Sequence, residues 1–166
     1  MKTTDKFLIG IIIGIVLLVG IAFAVAFLRP EPDYLPEDTP EAAAHNYLLA
    51  LLRKDYDRAY DYLSPTIESY PPAVEAFKEN VLDSSYYLRW DENNVSLEVV
   101  SAHVTGDQAT VTVRETRFNQ GGLFDSGQNT NTFEMHLQRT APGSAWKIMD
   151  SDSYWARCWN YKYGCQ

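Results

Sequence analysis

Cysteine and histidine are scarce here, at two and three in 166 residues, and what chemistry remains is correspondingly narrow. Cys158 and Cys165 have no histidine near them and supply only half of a four-ligand zinc set, so no metal site is expected. No Gly-rich phosphate loop, no His-x-x-x-His pair and no Gly-x-Ser-x-Gly elbow occurs, and no cofactor is implied. Basic residues are also few: 14 Lys and Arg face 22 Asp and Glu. Setting aside Lys2, Lys6 and Asp5 leaves 12 basic and 21 acidic side chains beyond residue 28, a net charge of −9. Phosphate backbones and anionic lipid surfaces would repel such a domain, which excludes nucleic acid as a partner. The same charge keeps an exported domain soluble.

What is present first is one long apolar run. Residues 7–28 carry no charge over 22 positions, and a bilayer core needs about 20 apolar residues in helix, whereas a secretory signal core has about 7 to 15. We expect a transmembrane helix that anchors the chain. The alternative is a cleaved signal and a secreted protein, since Ala22-Phe23-Ala24 has the small-x-small form that signal peptidases accept. Lys2 and Lys6 before the run against Arg29 after it place residues 1–6 in the cytoplasm and the rest outside the cell membrane. Residues 29–38 are rich in proline and acid and read as an extended spacer. An oxidising compartment then favours a Cys158–Cys165 disulfide, with Gly164 helping the chain turn back.

Past the spacer the hydrophobic period is helical. Thr39 suits the N-cap and Pro40 the first turn of a helix running to about Arg53, with Ala44, Tyr47, Leu48, Leu51 and Leu52 as its apolar stripe. A second short helix follows from Tyr56, and a third after Pro71-Pro72 with Val74, Phe77 and Val81 inward. The period then changes to two, uncertainly over Tyr86-Tyr87-Leu88-Arg89-Trp90 and clearly from Val95. Gly106-Asp107 predicts a hairpin between two strands. In the second, Ala109, Val111 and Val113 alternate with Thr110, Thr112, Arg114 and Thr116, one face buried and one wet. Two further strands are expected over 132–140 and from Trp146. Helices first and antiparallel strands afterwards is the α+β order.

Two stretches carry a resemblance. Thr39-Pro40-Glu41-Ala42-Ala43, then Tyr47, Leu48, Leu51 and Asp55-Tyr56-Asp57-Arg58-Ala59-Tyr60 up to Leu63-Ser64-Pro65, is similar to the helical opening of small exported members of the nuclear transport factor two-like superfamily. Ser144-Ala145-Trp146-Lys147-Ile148 resembles the Gly-x-Trp-Lys-Ile strand on which such domains end, with Gly143 one place early. The resemblance covers residues 39–152. It implies helices packed on a curved, cone-like antiparallel sheet with a pocket at its open end, and a sheet face through which a homodimer can form. Members include isomerases, dehydratases and epoxide hydrolases beside non-catalytic binding domains, so no catalytic residue carries over.

Among candidate groups, the phase of Val95, Leu97, Val99 and Ser101 puts His103 inward as the one weak catalytic candidate. His136 falls on the opposite face and His45 outward on the first helix. Asp150 and Asp152, two apart on a strand, read as turn or capping residues before an acid–base pair. The tail over residues 153–166 crowds Tyr154, Trp155, Trp159, Tyr161 and Tyr163 around the two cysteines, either to cap the core or to present a surface. We take Trp155, Trp159, Tyr161 and Tyr163 as the expected ligand or partner surface. The expectation is an anchored binding or interaction module taking a small apolar ligand or a protein partner. A small hydrolase, isomerase or dehydratase using His103 or a buried carboxylate is the alternative, and a purely structural role the third.

Overall fold

A computed structural model describes residues 3–27, 32–84, 94–118 and 127–165 of the chain, which divides into two units between Pro32 and Asp33. The first unit is one helix, α1 (Thr3–Phe27). From Phe7 to Ala24 it is long and apolar enough to cross a membrane by length and composition, and none of that stretch is buried inside the protein. Being apolar on every side, it has no face suited to water.

The second unit is α+β. Helices α2 (Pro40–Leu52), α3 (Tyr56–Asp61) and α4 (Val74–Ser84) precede an antiparallel sheet of β1 (Val95–Thr105), β2 (Gln108–Phe118), β3 (Gln128–Gln138) and β4 (Lys147–Ser151), in the order β1-β2-β3-β4. With α1, that makes four helices and a four-stranded sheet among the described residues. The helix starts follow from their caps. Thr39 Oγ1 accepts from the Ala42 N–H at 3.2 Å and Asp55 Oδ1 from the Arg58 N–H at 3.3 Å. The expected Gly106-Asp107 hairpin forms between Thr105 and Gln108, and Gly106 takes the left-handed conformation (φ +62°) that a two-residue turn requires. The uncertain strand over residues 86–90 lies outside the described residues. β3 begins at Gln128, four positions before the strand expected from 132, and its first five residues are polar on both faces, so alternation does not mark them.

The core lies between α2 and one sheet face. Ala109, Val111 and Val113 of β2, Phe133, Met135 and Leu137 of β3 and Ile148 of β4 point to it, and α2 packs across β1, β2 and β4. The stripe expected on α2 is only part of what it buries. Ala42, Ala43, Asn46, Leu49 and Ala50 are also inaccessible, so the helix is covered nearly all round. Beside α3, which packs on it, part of that cover is a strap. Residues 33–37, expected to be spacer, lie against the helices: Asn46 accepts from the Leu35 N–H at 2.7 Å and donates to the Leu35 carbonyl at 2.8 Å, and the Arg58 guanidinium sits 3.4 Å over the Tyr34 ring. Arg58 also meets Glu37 at 3.3 Å, and Tyr62 donates to the same carboxylate. At the far edge, β4 is closed by Leu63, which bridges to Ile148. β1 is the other edge.

The tail folds back onto α4. Trp159 stacks on Phe77 at 5.5 Å and meets Trp155 edge-on at 4.7 Å, all three buried. The Cys158–Cys165 disulfide closes the loop behind them, with Cα atoms 5.0 Å apart. A loop of this length stabilises by about 2 to 3 kcal/mol through restriction of the unfolded chain.

Candidate functional site

The inner sheet face changes character along its length. At the Leu137 end it is apolar and buried; towards the start of β3 the same parity carries Asn131 and Asn129, both exposed. Two register rows build this open end. Leu97, Glu115 and Asn131 lie side by side across β1, β2 and β3, and beside them Val95, Arg117 and Asn129. The alternation that buries Ala109, Val111 and Val113 continues to Glu115 and Arg117, so β2 delivers a carboxylate and a guanidinium to the inward face.

Glu115 is 5% exposed. A buried charge needs partners, and two donors converge on its Oε1: the Arg117 guanidinium at 2.5 Å and the Tyr154 hydroxyl. Tyr154 is itself fixed from two sides. Its ring tilts against Phe133 at 5.7 Å, and its carbonyl accepts from the Tyr47 hydroxyl of α2 at 2.7 Å. Its backbone takes φ +59°, a conformation uncommon for a side chain this bulky, which the surrounding contacts hold in place. Burial pushes the Tyr47 hydroxyl far above the ordinary tyrosine range, so it stays a neutral donor. The result is a mutually neutralised acid–base pair with a phenol at the rim of an apolar wall. It can orient a polar group of a ligand whose body rests on Leu97, Val99 and Phe133.

The residues singled out from sequence fall elsewhere. His103 is not inward. Val100 is an extra residue between the Val99–Val113 and Ser101–Thr112 pairs, and this β-bulge reverses the phase of the strand beyond it. His103 therefore stands exposed on the outer face, opposite Thr110, in one row with His136. His136 is on that face as expected, its Nδ1 3.3 Å from Thr110 Oγ1. His45 is half-buried, with Nε2 3.1 Å from the Asp33 carbonyl oxygen. Asp150 accepts from the Ser151 N–H and Asn160, and Asp152 from the Glu134 N–H, which is the work of turn and ladder-closing residues. No group of three or more His, Cys, Asp or Glu that could hold a metal occurs among the described residues. In the tail, Trp155 and Trp159 are 3% and 0% exposed, so their rings fill the core instead of a surface. Tyr161 and Tyr163 are 66% and 79% exposed. Glu115, Arg117 and Tyr154 escaped the sequence reading of the site, although the alternation of Ala109, Val111 and Val113, continued past Val113, reaches Glu115 and Arg117.

No protein-family model matches the sequence, and no curated protein matches it. Solved structures align over most of its length at low identity. A SEC-C motif protein from Rhodopseudomonas palustris is 15% identical (TM-score 0.49, covering 72% of this chain and 81% of that one). A candidate calcium/calmodulin-dependent protein kinase type II association domain from Thiobacillus denitrificans is also 15% identical (TM-score 0.49, 73% and 95%). A candidate dehydratase of the NTF2-like family from Streptomyces avermitilis is 17% identical (TM-score 0.39, 66% and 88%). Alignments this loose carry no argument about the chemistry of this chain.

Proposed function

We propose that the chain is a membrane-anchored, extracytoplasmic binding module of nuclear transport factor two-like form, in which a small, mainly apolar ligand seats on the open end of the inner sheet face. The observation that carries the reading is the Glu115–Arg117–Tyr154 cluster, a buried polar group beside the exposed start of β3 on the inward parity. Ligand sites of this kind are apolar concavities with a few placed polar groups. Because Glu115 and Arg117 cancel each other's charge, the ligand is uncharged where it meets them. The apolar helix α1 supplies the anchor, with residues 1–6 inside the cell, and the disulfide suits the oxidising side.

A non-catalytic role is favoured over the hydrolase, isomerase or dehydratase alternative because Glu115 Oε1 is already engaged by two donors of the protein itself. The enzymatic reading keeps one specific support: a buried carboxylate beside a phenol and a strained backbone is an arrangement catalytic sites also use. Asn131→Trp tests the site without touching the cluster, since it places a large ring over the open end. A panel of small neutral molecules screened by thermal shift against the full-length chain should contain members that raise Tm for the wild type and not for the variant. Equal shifts in both would place binding elsewhere.

A further inference from the structure

The two edges of the sheet are unequal. β4 is closed by Leu63, but no strand pairs with the outer side of β1 among the described residues, over a length of 11 residues. An open strand edge presents a row of N–H and C=O groups that another strand can satisfy. Beside this edge runs an open groove of about 430 Å³ lined by Leu35, Glu41 and His45 and by residues 97–101 of β1. Val100, pushed out at the bulge, is 45% exposed.

We propose that this edge takes an extended basic-and-apolar peptide segment of a partner protein as an added fifth strand. The backbone edge fixes the extended conformation, and the period of two sends alternate side chains to the groove and away from it. The bulge at Val100 breaks the ladder, so the run from Val95 to Val99 is the docking length and about five partner residues suffice. Charge decides the occupant. Glu98 is paired with Arg114 at 2.9 Å, but a second copy of this chain would still bring Glu41 of one edge towards Glu41 of the other, on domains that each carry a net −9 beyond residue 28, whereas Lys or Arg flanking apolar residues would be attracted. This groove shares Leu97 and Val99 with the inner face but includes none of Glu115, Arg117 and Tyr154, and the open backbone edge of β1 does not depend on that reading.

Fluorescence anisotropy on the full-length chain in neutral phosphatidylcholine nanodiscs tests it, with a labelled peptide of about seven residues alternating Lys and Val. Two comparison peptides and two protein variants matter: the same peptide with Glu for Lys, the same with alternate backbone nitrogens methylated, and the variants Glu41→Lys and Val100→Lys. The basic peptide should bind, the acidic and methylated peptides at least about ten-fold more weakly, and Glu41→Lys should weaken binding about five-fold. Amide hydrogen exchange should slow within Val95–Thr105 on binding. Absence of binding, equal binding of the methylated peptide, or slowed exchange confined to other strands would overturn the proposal. Self-association that protects β1 without peptide would also overturn it, assigning the edge to a second copy.

Discussion

Glu115 is the residue on which the site turns, and its removal separates packing from charge. Glu115→Ala leaves the Arg117 guanidinium and the Tyr154 hydroxyl without their shared acceptor in a buried place, and should lower stability by about 3 kcal/mol, read as a fall in the urea midpoint. Glu115→Gln, which keeps the shape and one acceptor oxygen, should lose less. A second expectation at this scale concerns alkali. Burial raises the hydroxyls of Tyr47, Tyr62 and Tyr70, with a hydrogen bond to Glu37 adding to it at Tyr62. The folded state holds these protons where the unfolded chain releases them near pH 10, so their contribution is whole below that pH and is lost as pH rises above it. Denaturant titrations at pH 8 and pH 11 should show the wild type losing more stability than Tyr47→Phe. The sequence held the clue to Glu115 in plain view, two positions past Val113 on the same parity. It misplaced His103 for the opposite reason: one extra residue, Val100, reverses a two-residue period, and no local residue type marks the bulge.

Among the elements, the helices were the most legible, since N-caps and prolines fix where α2 and α3 begin. What periodicity missed was how many faces of α2 are covered. A stripe of five apolar residues identifies the side facing the sheet, whereas Asn46 is buried because a remote segment, Tyr34–Leu35, uses both ends of its amide. Asn46→Ala should release that strap at a cost of about 2 kcal/mol for two lost hydrogen bonds, visible as faster amide exchange and protease cleavage over residues 33–38 with the sheet still protected. The tail follows the same logic. Its aromatic crowding predicted either a cap or a surface, and it divides: Trp159 buries against Phe77 with Trp155 edge-on to it, and Tyr161 and Tyr163 stay outside. Which rings turn inward depends on α4 lying beneath them, a contact between segments some 80 residues apart that no local pattern encodes.

At the scale of the whole molecule, composition carried further than motif. Net charge, a single uncharged run of 22 residues and the disulfide-bonded cysteines are compatible with an acidic domain that is membrane-anchored or exported. That topology has a direct check: maleimide labelling of intact cells should leave Cys158 and Cys165 unmodified until a reductant is added, whereas labelling without reduction would contradict a disulfide on the oxidising side. The α+β order was readable as well, while the chemistry was not, because it depends on which residues of three strands share a row. The most direct test of the binding reading is a native mass spectrum of the full-length chain released from detergent after purification from its own membranes, alongside Asn131→Trp. The account predicts a small uncharged molecule bound to the wild type and missing from the variant. A wild-type chain that is always empty, or an adduct that the variant keeps, would contradict it.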